Sequence, residues 1–144
     1  MIRHAGLVAL PLAGGWRGVL IEGPSGGGKS DLALRALDEG FRLVADDRVI
    51  VWSSGGRLWG RAPEVLSVLL ESRGVGVLPQ AAIPFCRIDL AIRCEASPEA
   101  VERCPADETL ELADQTLPLR ALWPFDLAAP AKLRRSIEHL GAAR

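Results

Sequence analysis

Eight consecutive residues, Gly23-Pro24-Ser25-Gly26-Gly27-Gly28-Lys29-Ser30, satisfy the pattern GxxxxGK[ST] at every specified position and constrain the fold more than any other stretch of the chain. The pattern works only between a strand and a helix. Gly18-Val19-Leu20-Ile21 reads as a short buried strand on one side, and Asp31-Leu32-Ala33-Leu34-Arg35-Ala36-Leu37 reads as a helix on the other. Glycines let successive backbone N–H groups turn inward around phosphate oxygens, and the helix N-terminus adds partial positive charge. Lys29 is placed to reach β- and γ-phosphates, and the Ser30 hydroxyl to ligate Mg²⁺.

Downstream, the apolar positions Leu32, Ala33, Ala36 and Leu37 form a stripe facing a sheet, with Gly40 as the C′ residue of a helix of about ten residues. Leu43-Val44-Ala45 reads as a fully buried strand ending in Asp46-Asp47. A right-handed crossover of near-minimal length makes the strands before and after the helix parallel and close in one sheet, with their C-terminal ends on one edge. That places Asp46 and Asp47 beside the phosphate loop, where open α/β sheets bind ligands. Adjacent residues of an extended segment point to opposite sides, so the two carboxylates are expected to differ in role. Ser30 with Asp46 or Glu71 could hold Mg²⁺, and Asp47 could take a proton from an acceptor hydroxyl.

The remaining chain supplies elements for one α/β domain. Leu7 to Leu12 and Gly18 to Ile21 read as a hairpin around Ala13-Gly14-Gly15-Trp16-Arg17, with His4 at the outer end of its first strand. Val49 to Trp52 and Leu58 to Arg61 read as a second hairpin. Pro63 starts a short helix with stripe Val65, Leu66, Leu69 and Leu70, followed by a charged turn from Glu71 through Arg73 to Val77. Cys86 to Arg93 alternates as a half-exposed strand, and Ser97-Pro98-Glu99 opens a helix. Strands near Thr109 to Leu112 and Leu117 to Ala121 precede a last helix around Ala131 to Leu140. Trp16, Trp52, Trp59 and Trp123 read as core or rim packing, and Lys132, Arg134 and Arg135 as solvated helix charge.

At 144 residues and 49% hydrophobic, the chain has material for one substantial core. A net charge of -1 provides no basic stripe for nucleic acid. Cys86, Cys94 and Cys104 have neither metal-site nor disulfide-framework spacing and are expected to be reduced and partly buried. No run approaches the roughly 18 apolar residues of a membrane span, so the expectation is a soluble, cytoplasmic protein that engages neither membrane nor nucleic acid.

Two segments carry a resemblance. GPSGGGKSDLALRALDEGFRLVADDRV at Gly23 to Val49 and LLESRGVGVL at Leu69 to Leu78 resemble the catalytic domain of HPr kinase/phosphorylase, whose phosphate loop, ADD segment and E-x-R-G-x-G signature stand here in the same order. The short form resembles alphaproteobacterial members. The resemblance implies a P-loop kinase domain of the HPr kinase and phosphoenolpyruvate carboxykinase-like type, a mixed central sheet with flanking helices, spanning residues 1–144 without the N-terminal domain of longer homologues. It implies an enzyme using ATP and Mg²⁺ to phosphorylate a serine of HPr or an HPr-like phosphocarrier, with reversal by phosphorolysis as the family's second activity, acting as a homo-oligomer. Asp47 would be the base, Lys29 and His4 would assist at the phosphates, Ser30 and Glu71 would ligate Mg²⁺, and Arg73 would belong to the signature turn. The family's late loop has a loose counterpart in Leu127 to Lys132. Two rival readings use the same motifs: a nucleotide-sensing module that recognises the phosphocarrier without modifying it, and a small-molecule kinase on the same core.

Overall fold

A computed structural model describes residues 1–63, 69–72, 76–79 and 82–140, with side chains described outside 64–81. Eleven strands and two α-helices are present among these residues: β1 (Ile2–Arg3), β2 (Ala5–Leu12), β3 (Gly15–Glu22), α1 (Lys29–Ala36), β4 (Arg42–Ala45), β5 (Val49–Ser54), β6 (Arg57–Arg61), β7 (Leu69–Ser72), β8 (Gly76–Pro79), β9 (Phe85–Cys94), β10 (Glu108–Leu112), β11 (Gln115–Leu122) and α2 (Ala129–Glu138). Nine strands build one mixed sheet in the order β1-β5-β6-β9-β3-β2-β4, with β11 joining β9 and β10 joining β11.

The sheet is curled. A Cβ added at Gly60 on β6 would come within 2.7 Å of Leu7 on β2, three places away in strand order. Alternation splits the buried side chains between its two faces. Val8, Val19, Ile21, Leu90 and Ile92 face α1 and α2, packing against Leu32, Ala33, Ala36, Leu133 and Ile137. Leu7, Leu20 and Ala91 face the other way, against Val49, Val51, Leu58 and Ile88.

The first hairpin forms as expected and is tighter: Leu12 pairs with Gly15, leaving only Ala13-Gly14 as the turn. Strand β2 lies between β3 and β4 and is antiparallel to both, so β3 and β4 are parallel with one strand between them. Ala5 pairs with Glu22 and Leu7 with Ala45, so the ends of β3 and β4 share one edge. The α1 stripe is buried at Leu32, Ala33 and Ala36, and Gly40 takes the left-handed conformation at φ +95° after a 3₁₀ turn.

Four expectations change. Cys86 to Arg93 is a central strand: β9 pairs with β3 on one side and with β6 and then β11 on the other, burying Leu90, Ala91 and Ile92 fully. Ser97-Pro98-Glu99 starts only a 3₁₀ turn, Pro98–Ala100, without a side-chain cap. Pro105 disfavours helical conformation in the residue before it, so the start does not propagate. Leu69 and Leu70, expected on a helix, lie in β7, which pairs with β8; Val65 and Leu66 lie outside the described residues. Cys104 is exposed, whereas Cys86 and Cys94 are buried.

Arg134 is likewise more than solvated charge, because its guanidinium donates to the Glu39 carbonyl at 2.6 Å and ties α2 to the end of α1. Of the four tryptophans, Trp59 packs at the rim with its ring 6.1 Å from that of Phe85, whereas Trp16 is exposed.

Candidate functional site

The loop between β3 and α1 is built by glycines that no other residue replaces. Gly26 and Gly28 lie at φ +75° and +96°, a region that disfavours side chains. Gly27 donates its N–H to the Pro24 carbonyl at 2.9 Å, closing a turn that leaves no room for a Cβ at 27. Gly28 then begins α1 by accepting the Leu32 N–H at 2.9 Å. A Cβ at Gly23 would fall 2.9 Å from the Cβ of Cys94, so β9 forms the floor beneath the loop. Burial pushes the Cys94 thiol up to about 11 despite the nearby Lys29 charge, which leaves it protonated and inert.

Lys29 opens α1 and folds its ammonium against the loop, donating to the carbonyls of Gly23 at 2.6 Å and Pro24 at 3.2 Å. Ser30, one residue on, donates its hydroxyl to Oδ1 of Asp46 at 2.8 Å. A loop and a carboxylate sixteen residues apart are thus one site. Burial raises the Asp46 carboxyl above its ordinary range and the Asp47 charge adds to this, while the Ser30 hydroxyl and Lys29 ammonium pull the other way. A half-buried carboxylate whose ionisation is penalised gains from a cation beside it.

Asp47 differs from its neighbour, but not by strand alternation, since β4 ends at Ala45 and both aspartates lie in the bend after it. It is exposed, with φ at +69°. Arg48 donates its N–H to the Asp46 carbonyl at 2.8 Å, so Asp47 is the central residue of a γ-turn of the rarer, left-handed sign. The Asp47 carbonyl accepts the Ala5 N–H at 3.1 Å, which pins this turn to the start of β2. Backbone strain held in place by a hydrogen bond from another strand points to a function for the strained residue.

His4 precedes Ala5 directly and is exposed at the same edge, flanked by the ion pair of Arg3 with Glu22. Glu71 lies in β7, which runs beside α1, and its side chain lies outside the described residues. Arg73 lies wholly outside them. The structure therefore brings together Lys29, Ser30, Asp46, Asp47 and the backbone at His4.

The donor set fits Mg-ATP. A hydroxyl and a carboxylate oxygen are the hard ligands Mg²⁺ prefers, and Mg²⁺ ordinarily takes only one or two protein ligands beside phosphate oxygens and water. No group of three or more His, Cys, Asp or Glu side chains suited to a metal is found among the described residues. No described helix is long and apolar enough to cross a membrane.

A second group at this site was not legible in sequence. The turn Trp123 to Asp126 lies against the loop: a Cβ on Gly28 would come 2.9 Å from Phe125 Cζ and 3.0 Å from Pro124 Cγ. Arg35 on α1 holds that turn by donating to the carbonyls of Pro124 and Asp126. The one available signal was Asp126 shortly before a helix, where its carboxylate accepts the Ala128 N–H at 2.9 Å. Within Leu127 to Lys132, Leu127 and Ala128 continue the turn and Ala129 to Lys132 form the first turn of α2.

The family model described as the HPr Serine kinase C-terminal domain matches residues 4–84, which is 81 of the 144 residues. HPr kinase/phosphorylase of Brevibacillus brevis is 42% identical over 113 residues, covering 71% of this chain and 36% of that protein. HPr kinase/phosphorylase of Streptococcus thermophilus is 56% identical over 62 residues, covering 42% of this chain and 20% of the relative. The chain thus spans between a fifth and about a third of the length of these curated relatives. The solved structure of the Hpr(Ser) kinase/phosphatase from Coxiella burnetii superposes with a TM-score of 0.83 at 22% identity, over 99% of this chain and 97% of that one, which shows a shared fold.

Proposed function

The chain belongs to the HPr serine kinase C-terminal domain family, and from that premise we propose that it is a Mg-ATP-dependent protein kinase acting on a serine of HPr or an HPr-like phosphocarrier. The observation that carries the proposal is the 2.8 Å hydrogen bond from Ser30 to Asp46, which joins the phosphate loop to the carboxylate pair.

Mg-ATP, when bound, supplies the phosphoryl group and the charge that neutralises its oxygens. The loop amides and Lys29 orient the β- and γ-phosphates by hydrogen bonding and charge. Ser30 and Asp46 would hold the metal, with Glu71 as a further ligand. Asp47, exposed at the same edge, accepts the proton that the serine hydroxyl gives up as its oxygen bonds to phosphorus and ADP departs. His4 assists at the phosphates, and Arg73 belongs to the signature turn, both on the family resemblance alone. In the opposite direction Asp47 returns the proton as inorganic phosphate takes the phosphoryl group from phosphoserine, the second activity in the names of the curated relatives. The family likewise carries the choice of phosphocarrier and a homo-oligomeric assembly.

The test is incubation of the protein with Mg-ATP and HPr-like proteins, read by intact mass and by mapping of acid-stable phosphoserine. One phosphate on one serine is the expected result. ATP binding without transfer would replace the kinase by a nucleotide sensor, and transfer only to a small molecule would replace it by a metabolite kinase.

A further inference from the structure

We propose that Phe125 is the nucleobase platform of the loop site, its ring lying under the purine of the nucleotide whose phosphates the loop holds; this rests on the kinase reading above.

Three phenylalanine or tryptophan rings are exposed among the described residues: Trp16, Phe85 and Phe125. Trp16 and Phe85 sit at the N-terminal ends of β3 and β9, the far end of the sheet from the loop. Only Phe125 stands at the loop end. Its Cζ edge meets Gly28, the residue before Lys29, while 53% of its surface stays open. In the proposed seating, a nucleotide held by its β- and γ-phosphates on Lys29 and the loop amides leads its ribose and base outward from the N-terminus of α1, past this ring.

The ring is also fixed in place. Arg35 donates to the carbonyls on either side of it, those of Pro124 and Asp126, at 2.5 and 2.6 Å. Asp126 donates its N–H back to the Trp123 carbonyl, and its carboxylate is held by Lys132 at 2.6 Å. An exposed apolar ring on a surface turn gains nothing for folding from such clamping. It gains for binding, because a pre-ordered platform loses little entropy when a base lies on it. Stacking reads the face of a base, which all purines share, so Phe125 accounts for purine affinity without choosing between adenine and guanine.

Affinities of ATP, GTP and inorganic tripolyphosphate, each with Mg²⁺, are measured by calorimetry for the unaltered protein, Phe125→Ala, Phe125→Trp and Phe85→Ala. Phe125→Ala is expected to weaken ATP and GTP alike by about 5- to 100-fold, the range for loss of one base stack, and to leave tripolyphosphate within about twofold. Phe125→Trp should restore nucleotide affinity, and Phe85→Ala should change neither ligand. Unchanged ATP affinity in Phe125→Ala, or equal losses for ATP and tripolyphosphate, would overturn the platform. Failure of the unaltered protein to bind either ligand would instead overturn the phosphate-loop reading and the platform with it.

Discussion

The two ends of the central strands β3, β9 and β11 solve the same problem, reversing the chain, with different chemistry. At the far end the turns are local. Ala13-Gly14 joins β2 to β3, and Ala113-Asp114 joins β10 to β11 with both residues left-handed at φ +48° and +64°. Nothing lies within 4 Å of a Cβ placed on Gly14. Charges there pair among themselves, with Arg87 donating to Asp89 at 2.9 Å. At the loop end Gly26 is as open as Gly14, but two other left-handed residues are crowded or connected. Gly28 carries Pro124 and Phe125 against it, and Asp47 is tied through its carbonyl to Ala5. Gly14 answers only to backbone conformation, whereas Gly28 answers to conformation and to space. Asp47 and, at the far end, Asp114 both sit where Gly would be less strained, so it is the proposed role of its carboxylate as base, not its backbone, that sets Asp47 apart.

The largest expected effect tests that last point. Asp47→Asn keeps a side chain that tolerates the left-handed region but removes the base. Turnover in the phosphoserine assay should fall by about 10²- to 10⁴-fold, the usual contribution of a positioned base. ATP affinity and melting temperature should stay close to those of the unaltered protein. Retained turnover would sink the assignment.

Next comes a direct comparison of glycines. Gly14→Ala and Gly28→Ala each incur the left-handed penalty of about 1–2 kcal/mol. Gly28→Ala should cost about 1–3 kcal/mol more for overpacking against Pro124 and Phe125, and should also weaken ATP binding, which Gly14→Ala leaves alone. Urea midpoints and nucleotide titrations read both effects, and equal losses for the two variants would erase the distinction between the ends.

Asp46 offers a pH test. Its folded carboxyl titrates above the ordinary value of 3.8 because burial penalises the charge, so ionisation costs more in the folded protein than in the unfolded chain. Its contribution to stability is greatest below that ordinary value and declines as pH rises through the raised one. Asp46→Asn should remove this decline, giving a variant relatively more stable near neutrality without Mg²⁺ and less stabilised when Mg²⁺ is added with ATP. Melting temperatures across pH, with and without the metal, check the sign; a parallel pH profile for the variant would place the burial cost elsewhere.

The smallest effect belongs to the far end. Ala113→Gly relieves a left-handed alanine at the expense of unfolded-chain entropy, for a net gain of about 0.5 kcal/mol with turnover unchanged. A measurable loss of turnover would show that the far end communicates with the loop.

The sequence by itself determined the local units. Spacing in Gly23 to Ser30, the apolar stripe of α1, and the buried run ending at Asp46 specify a strand, loop, helix and strand whose C-terminal ends must meet, because a short crossover permits no other arrangement. The central place of β9 required the tertiary structure, since the alternation of a strand shows which residues are apolar but not how many strands flank it. The same holds for the division of labour between Asp46 and Asp47: their order is in the sequence, but only the Ser30 hydrogen bond decides which carboxylate faces the loop. Phe125 and Arg35 were least legible, standing ninety residues apart in the chain. Local periodicity carries no information over that distance, and only the packing of α1 against the chain after β11 brings an exposed ring to the phosphate loop.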